Sequence, residues 1–454
     1  MARKFKRVDY EEALEMTVKV RDVLPPGHLV HFVVFVIGQL DLRGIYQKYK
    51  PLGAPPYEPE ILLGLLFYGY ATGVFSSRQI EEKSKETIPF RFIAGGYEPD
   101  HSTIADFRKD NLAEIKELFV QILVVAIELD VLELGNISLD GTKIHADASK
   151  SKAISYKRLL ELESQLQAEV EELFVLAEQA EGETIPAGMV IEDEAALRQE
   201  RLVQMAKAKA ALEARAEARY ELEKAEYEAK LREREAKEKT RGRKLGGRKP
   251  KPPIPGPRDK DQYNFTDPDS SIMKNSNNQG FDQHYNAQVA VEQSSILIVG
   301  NTLSDHPNDK QEAVPTLEAI PTEQIGQPEA AAMDNGYFSQ ANIEAFETRG
   351  VDPYIATGRE SHHQSWQEFF AEQPDPPPED ASPKEKMAYK LKTDIGQAIY
   401  RLRKSTVEPV IGIVKEVLGF RQFSLRGLVK AAGEWNLVCL AFNLKRMHTL
   451  YYKV

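Results

Sequence analysis

The sequence predicts an α/β fold of the α+β kind, in which a mixed sheet with flanking helices follows an all-α N-terminal domain and contains an inserted helical hairpin. Three observations predict this fold class. Between about residues 10 and 130, apolar residues recur at the three- and four-residue spacings of an α-helix. Residues 150–238 are rich in Ala, Glu, Lys, Leu and Arg. Beyond residue 263, short β-rich segments alternate with helical ones, as in sheets with crossover helices.

The length and composition bound the class of protein. At 454 residues the chain is long enough for two or three domains with a sizeable core. Its single cysteine, Cys439, excludes an intrachain disulfide and fits a reducing cytoplasm. The start, MARKFKRVDYEEALEM, becomes acidic where a secretory signal would be apolar. The apolar stretches are too short or too charged to cross a bilayer, so we expect a cytoplasmic protein without membrane contact.

Residues 1–133 are predicted to form an all-α domain, because their apolar residues keep a helical spacing. One helix is expected to begin near Thr103, where Asp100, Ser102 or Thr103 could cap its first turn. Another is expected to begin near Ser76. This second helix either reads DNA or packs in the bundle with its charges solvated, and the sequence favours neither interpretation.

Residues 151–239 are predicted to form an antiparallel helical hairpin inserted into the sheet domain. The segment EGETIPAGMV breaks the helical pattern between its two halves. The hairpin either joins two protomers or packs within its own chain, and Glu169, which interrupts the apolar seam, favours the second. Five leucines keep a partial heptad spacing typical of a coiled coil, namely Leu159, Leu162, Leu166, Leu173 and Leu176.

The charge distribution indicates where nucleic acid could bind. A net charge of −11 does not suit a uniformly DNA-binding surface, but residues 240–260 hold eight Lys or Arg and one Asp. We therefore expect residues 240–262 to be a basic Pro/Gly-rich linker, which is either a DNA-contacting arm or a solvated tether. Its candidate DNA contacts are Arg241, Arg243, Lys244, Arg248, Lys249 and Lys251.

Residues 134–150 and 263–454 are predicted to form the sheet domain. ISLDGTKIHA is its first strand, and YNAQVAVEQ with SILIVGNTLS forms a hairpin of the next two. A helix in DKQEAVPTLEAI, a strand in PEAAAMDNG, a helix in SQANIEAFETRG and a strand in VDPYIAT then alternate. Residues 361–388, which include PDPPPEDASP, are predicted to form a mobile excursion before the final helices.

Two aspartates lie where these strands would place functional groups. If residues 137–147 form one strand, Asp140 points to one face and Asp147 to the other. A carboxylate on a central strand is costly to bury unless it binds a cation or is paired. Asp334 comes at the carboxyl end of its strand, where open sheets place ligands. The alternative for both is a turn aspartate, because Asp-Gly and Asn-Gly are common turn signals.

A third acid, Glu408, has two competing interpretations. It is either a functional carboxylate or the fourth residue of a capping box that begins at Ser405, with Pro409 supporting a helix start there. Lys415 lies seven residues further on, about two helical turns, and would project from nearly the same face. It suits a contact with a DNA phosphate, as do Arg403 and Lys404.

The three acids, with their order, flanks and spacing, resemble the active site of the DDE transposases of bacterial insertion sequences. The resemblance extends to DPDSSIMKNSNNQGFDQHYNAQVAVEQ and PYEPEILLGLLFYGYATGVFSSRQIEE and so covers nearly the whole chain. The strand and helix order resembles the RNase H-like fold. Tyr400, Arg403, Glu408 and Lys415 resemble the tyrosine, arginine, glutamate and lysine signature of this group, with one extra residue between Arg403 and Glu408.

The resemblance implies a transposase that binds the ends of its element, cleaves phosphodiester bonds and joins 3′ ends to target DNA. Asp140, Asp334 and Glu408 would hold two Mg²⁺ ions, for which Mn²⁺ can substitute; carboxylates alone suit such hard cations. Tyr400, Arg403, Lys404 and Lys415 would contact DNA. The expected partners are double-stranded element ends and target DNA, with a homodimer on DNA.

Other classes of protein are weighed against this one. No GxxxxGK[ST] segment is present, so ATP use is not indicated, and the nine histidines do not suggest a zinc site. The first alternative is a related RNase H-like nuclease without strand transfer. The second is a catalytically silent DNA-binding scaffold protein, which the presence of all three acids disfavours.

Overall fold

A computed structural model of the chain describes residues 19–50, 55–179, 189–244, 246–247, 249–275, 280–358, 375–378 and 380–452. The chain divides into two compact units. One unit is Met1–Ala146 together with His284–Val454, and the other is Asp147–Gln283. The residues of the predicted N-terminal domain and most of the predicted sheet domain therefore belong to the same unit.

The described N-terminal residues are helical. Asp100 caps α7, because its side chain accepts hydrogen bonds from the backbone N–H groups of Ser102 and Thr103, and this confirms the predicted cap. Asn111 separates α7 from α8. The helices are α1 (Val20–Val23), α2 (Leu29–Ile37), α3 (Arg43–Tyr46), α4 (Pro59–Ala71), α5 (Ser77–Glu86), α6 (Ile88–Ile93), α7 (His101–Asp110) and α8 (Leu112–Glu128).

The unit Asp147–Gln283 is built on two long helices. Its elements are β2 (Ala153–Ser155), α9 (Tyr156–Gln179), α10 (Ile191–Arg241), β3 (Gln262–Asn264) and β4 (Ser271–Lys274), preceded in the chain by β1 (Ile137–His145) of the other unit. The helices α9 and α10 are antiparallel: Lys209 pairs with Glu163 at 2.8 Å, and Arg198 pairs with Glu169 at 2.7 Å. Leu159 is fully buried against Leu212 near the open end of this pair.

Part of the predicted linker is attached to α10. The helix continues through Arg241 and ends at Gly242, whose φ of 62° is the left-handed conformation that glycine adopts at helix ends. Further along, Arg219 binds Asp261 at 2.9 Å, and Arg258 binds Glu223 at 2.7 Å. Residues 258–261 therefore run beside α10.

The central sheet combines antiparallel and parallel strands. Its remaining strands are β5 (Phe281–Glu292), β6 (Ile298–Ser304), β7 (Ala330–Met333) and β8 (Asp352–Ile355). Antiparallel β5 joins β6 to β1, and β1, β7 and β8 are parallel, which gives the order β6, β5, β1, β7, β8. This is the strand succession that the sequence predicts, and β1 is a central strand.

Helices follow and flank these strands. They are α11 (Ala313–Glu318), α12 (Thr322–Ile325), α13 (Gln340–Thr348), α14 (Pro383–Lys390), α15 (Asp394–Gly412) and α16 (Leu428–Tyr451). Trp435 of α16 is 1% exposed and donates its indole N–H to the carbonyl of Gln288 on β5. Trp435 is therefore a core residue that packs α16 on the sheet.

A buried polar network links the N-terminal helices to α16. Arg108 of α7 donates to the hydroxyl of Tyr70 on α4 at 2.7 Å, and this hydroxyl donates to Glu434 of α16 at 3.3 Å. All three side chains are buried, and these hydrogen bonds replace part of the water that their polar groups lose, while Arg108 Nε has no partner among the described residues. The network explains how two distant parts of the sequence form one unit.

Two sequence-based expectations need correction here. The predicted excursion at 361–388 is partly helical, because α14 begins at Pro383 with a capping box formed by Ser382 and Glu385. Residues 359–374 and 379 lie outside the described part of the chain. The helix that carries Glu408 begins at Asp394, with Thr393 as its cap, and not near Ser405. The predicted fold class itself, mixed α+β with an RNase H-like succession of strands, is confirmed.

Candidate active site

The two predicted aspartates lie on neighbouring parallel strands. Ile137 and Ser138 of β1 are paired with Ala331 and Ala332 of β7. Continuing this register brings Asp140 level with Asp334, the residue that follows β7. Because both strands run in the same direction, the two carboxylates lie at the same end of the β1/β7 pair.

Asp140 is largely buried, with a side chain that is 20% exposed. One carboxylate oxygen accepts the Gly141 backbone N–H at 2.8 Å. Burial raises the pKa of Asp140 to about 6, although the Arg403 guanidinium opposes the shift, and the negative charges of Asp334 and Asp309 add to it. The carboxylate is therefore in an environment that favours additional positive charge.

Asp334 performs the turn role that its Asn-Gly context indicates. It caps the 3₁₀ turn Asn335–Tyr337 by accepting the Gly336 N–H at 2.7 Å on Oδ1. The carboxyl accepts no side-chain hydrogen bond from the described residues, and the Tyr337 backbone N–H also lowers its pKa. Burial raises the pKa of Asp334, and the charge of Asp309 contributes to the increase. A turn role thus occupies one oxygen and leaves the second available to a ligand.

Glu408 lies well inside α15, so the capping-box interpretation is wrong. Pro409 is also inside this helix, although the sequence favours a helix start at that point. The Glu408 side chain is 49% exposed, and its Oε1 accepts a hydrogen bond from Arg403 at 3.2 Å. Its carboxylate is therefore available for a role at the site.

Arg403 connects two of the predicted acids. Its Nη1 lies 3.1 Å from Asp140 Oδ2, and its Nη2 lies 3.2 Å from Glu408 Oε1. The side chain is 9% exposed, and its Nε has no hydrogen-bond partner among the described residues. Although burial opposes the change, the charge of Asp140 and the neighbouring Tyr400 raise the pKa of Arg403. Without DNA this guanidinium therefore contacts two carboxylates, and its predicted contact with a phosphate stays a prediction.

Tyr400 and Lys404 lie on the same helix as Arg403. The Tyr400 ring centroid is 5.8 Å from the Arg403 guanidinium carbon, a cation–π distance. Lys404 is exposed on the outer face of α15. Their DNA contacts stay predictions.

Lys415 reaches the strand that carries Asp140. It lies in a π-helical turn, Ile413–Val417, which interrupts the two-turn spacing expected from Glu408. Its Nζ lies 3.1 Å from Thr142 Oγ1 and 3.2 Å from the Lys143 carbonyl oxygen. Alternation along β1 puts Thr142 on the same face as Asp140. Burial lowers the pKa of Lys415, with the nearby Arg421 adding to the effect.

The sequence reasoning missed Asp309. This residue begins a 3₁₀ turn, Asp309–Gln311, between β6 and α11. Its Oδ1 accepts hydrogen bonds from Asn286 Nδ2 and Gln288 Nε2, both at 2.8 Å. The segment SDHPNDKQ is polar and comes at the end of a strand, which is a pattern typical of a functional loop. Asp309 was overlooked because the residues that follow it have the pattern of an ordinary helix start.

The basic linker residues belong to the unit Asp147–Gln283. Arg241 is the last residue of α10, and Arg248 lies outside the described residues. The exposed members are Arg243, Lys244, Lys249 and Lys251. Their predicted contact with DNA stays a prediction.

The donor chemistry of the site fits a hard divalent cation. Asp140, Asp334, Asp309 and Glu408 offer carboxylate oxygens, which Mg²⁺ prefers. Within the described ranges, no group of three or more Asp, Glu, His or Cys side chains is already gathered around one cation position. Arg403 instead supplies positive charge between Asp140 and Glu408. Burial raises the pKa of Asp140 and of Asp334, and the Arg403 charge opposes this rise in both.

A mixed sheet with one acid on its central strand, a second directly after the neighbouring parallel strand and a third on a flanking helix is consistent with an RNase H-like enzyme that processes DNA. Residues 18–110 match a family described as a transposase domain (DUF772), and residues 377–448 match a family described as a transposase DDE domain. Together these matches support a DDE transposase of the insertion-sequence type.

The matched regions cover only part of the proposed site. The second match includes Tyr400, Arg403, Lys404, Glu408 and Lys415, whereas Asp140, Asp309 and Asp334 lie outside both. No curated protein and no solved structure gives a match. In the described part of the chain, no helix has the length and apolar character needed to span a membrane.

Proposed function

We propose that this transposase binds the ends of an insertion sequence, cleaves phosphodiester bonds there, and joins the resulting 3′ ends to target DNA. The observation that carries the proposal is the alignment of Asp140 with Asp334 on parallel strands, with Arg403 linking Asp140 to Glu408. Three acids separated widely in the sequence are thereby brought to one face of the fold.

Asp140, Asp334 and Glu408 would hold two Mg²⁺ ions, or Mn²⁺ in their place. When bound, such ions activate the attacking oxygen and stabilise the leaving 3′ oxygen of an in-line displacement. Asp140 is suited to a central position because it lies on the central strand, between the other two acids. Asp334 keeps one oxygen on its turn and offers the other, while Glu408 offers a half-exposed carboxylate from α15.

Two basic side chains would position the DNA backbone. Lys415 has its ammonium beside Thr142, two residues from Asp140, where a DNA phosphate could replace one of its present hydrogen bonds. Arg403 would stabilise the acids before DNA arrives and then contact a phosphate close to them. Lys404 and the linker residues would add sequence-independent phosphate contacts, and two protomers would act on paired element ends.

The proposal can be tested with labelled DNA that carries the sequences flanking the gene. In the presence of Mg²⁺, the purified chain should cut at an element end and join the new 3′ end to a target plasmid. Asp334→Asn should abolish both products while it retains binding to end DNA. Asp305→Asn, which removes a charge from the Asp309 loop, is the matched control and should keep both activities.

The products also separate the rival functions. Cleavage without any joined product would contradict the transposase proposal and favour a nuclease. Equal rates for Asp334→Asn and the wild-type protein would contradict the assigned active site.

A further inference from the structure

Asp309 is held in a way that leaves one carboxylate oxygen open. Its Oδ1 receives two amide hydrogen bonds, from Asn286 and Gln288, whose residues are each 1% exposed. Its Oδ2 accepts no hydrogen bond from the described residues. Nor does any described Lys, Arg or His lie within ion-pair distance of this carboxylate. The two neutral amides therefore fix the orientation of Asp309 without neutralising its charge.

Two glycines give Asp309 room beside the predicted aspartates. A Cβ on Gly336 would lie 2.9 Å from Asp334 Oδ1 and 3.6 Å from Asp309 Oδ2, so both carboxylates lie beside the Gly336 backbone. A Cβ on Gly141 would lie 2.9 Å from Asp309 Oδ1. A side chain at Gly141, which directly follows Asp140, would meet Asp309 and the Gln288 amide that holds it, whereas one at Gly336 would crowd Asp334.

The two loops that carry Asp309 and Asp334 are joined by one buried side chain. Asn342 of α13 donates its amide group to the Lys310 carbonyl at 2.9 Å and to the Tyr337 carbonyl at 2.7 Å. Each acceptor lies close in sequence to one of the aspartates. The hydrogen bonds of Asn342 thus fix the distance between the two loops that carry Asp309 and Asp334, as the positioning of metal ligands requires.

A buried hydroxyl near this position also has no partner. Ser304 Oγ is buried and makes no hydrogen bond with the described residues. Ser304 is paired directly with Asn286 across β5 and β6, so their side chains point to the same face of the sheet. An unpaired buried hydroxyl costs free energy, and a bound water would supply its missing partner.

We propose that Asp309 is a fourth carboxylate of the active site, which holds a divalent cation together with Asp334. This inference rests on the proposed function, because it adds a ligand to the same metal-dependent site. Two fixed carboxylates that converge without a protein cation suit a hard metal ion such as Mg²⁺ or Mn²⁺. Asp309 would thereby orient the cation on the Asp334 side of the site.

Binding of Mn²⁺ alone to the full chain tests this proposal. Electron paramagnetic resonance can measure free Mn²⁺ during a titration without DNA, so the result does not depend on catalysis. We expect Asp309→Asn to weaken the tighter Mn²⁺ site by roughly tenfold or more, the size of effect typical for lost metal-site contacts. Asp305→Asn is the control, and it should bind Mn²⁺ as the wild-type protein does.

A second measurement separates a metal ligand from a structural aspartate. Mn²⁺ should raise the Tm of the wild-type protein, because it binds the folded state, and should raise that of Asp309→Asn much less. Without metal, Asp309→Asn should melt at the same or a higher temperature, since it removes an uncompensated charge. Asn286→Ala, which keeps every carboxylate but removes one of the two amides, should weaken Mn²⁺ binding by a smaller factor.

The outcomes also distinguish this proposal from the proposed function. If Asp334→Asn loses Mn²⁺ and DNA cleavage while Asp309→Asn keeps wild-type Mn²⁺ affinity, the role of Asp309 is wrong and the proposed function stands. If Asp309→Asn, Asp334→Asn and Asp140→Asn all retain Mn²⁺ binding and cleavage, both are wrong. A lower metal-free Tm for Asp309→Asn, with an unchanged Mn²⁺ response, would likewise overturn the proposal.

Discussion

The two sides of the candidate site differ in how their negative charge is compensated. On one side, which we call the arginine side, Arg403 lies between Asp140 and Glu408. On the other, the open side, Asp309 and Asp334 converge with no described Lys, Arg or His in ion-pair contact with either. The protein itself thus supplies the positive charge on the arginine side, whereas on the open side we propose that a divalent cation supplies it.

Loss of Glu408 should have the largest effect on chemistry. We expect Glu408→Gln to lower the cleavage rate roughly a thousandfold or more, because metal-assisted displacement depends on correctly placed charge. Binding to end DNA should change little. Glu416→Gln is a matched control in the π-helical turn that follows α15, where the native side chain is exposed and pairs with Arg421. Single-turnover cleavage with both variants measures the difference, and equal rates would remove Glu408 from the site.

Loss of Arg403 should affect the arginine side in the metal-free protein. We expect Arg403→Met to lower the free energy of unfolding by about 2 kcal/mol without metal, because it leaves Asp140 buried without its cationic partner. Added Mg²⁺ should reduce this deficit. Arg401→Met, an exposed position on the same helix, is the control. Urea denaturation with and without Mg²⁺ measures the free energy of unfolding of each variant. If Mg²⁺ leaves the loss of stability in Arg403→Met unchanged, Arg403 does not compensate the charge of Asp140.

A methyl group at Gly336 should affect the open side selectively. The new Cβ of Gly336→Ala would lie 2.9 Å from Asp334 Oδ1, closer than carbon and oxygen normally approach. We expect the Mg²⁺ concentration for half-maximal cleavage to rise about tenfold with a small change in Tm. Gly412→Ala is the control, because nothing lies within 4 Å of its Cβ. An unchanged Mg²⁺ requirement would show that the open side does not hold the cation.

The smallest expected effect concerns His306, which lies beside the open side. A hydrogen bond to Glu312 at 2.7 Å raises the pKa of His306, although burial opposes it. Because the folded-state pKa is raised, the stabilisation is complete below the unfolded pKa and is lost as the pH rises through the folded value. The Tm difference between the wild-type protein and His306→Asn should therefore be larger at about pH 5.5 than at about pH 8.5. Equal Tm differences at the two pH values would show that the charge of His306 does not contribute to the stability of its pair with Glu312.

The sequence was informative where local patterns decide the structure. The strand pattern alone predicts that Asp140 lies on a strand and that Asp334 follows one, and the resemblance of the strand order to the RNase H-like fold is what implies that these strands are neighbours. The periodicity of residues 192–238 likewise predicts the long helix that the structure contains as α10.

Local patterns were insufficient where distant contacts decide the role of a residue. The capping-box pattern at Ser405 is a local signal, and it favours a helix start there. In the structure α15 packs against the sheet and continues past Ser405 and Pro409. Arg403 meets Asp140 across 263 positions in the sequence, and Asp309 is held by amides of β5. Neither partnership leaves a short-range signal, because both depend on how strands and loops assemble.

The most direct measurement of the central claim is Mg²⁺-dependent joining of labelled element ends to a target plasmid by the wild-type chain. We predict cleavage that leaves a 3′ hydroxyl at the element end, a joined product that contains this end, and loss of both when EDTA removes the metal. Undiminished cleavage and joining in EDTA, or no cleavage of the flanking ends with either Mg²⁺ or Mn²⁺, would contradict the account.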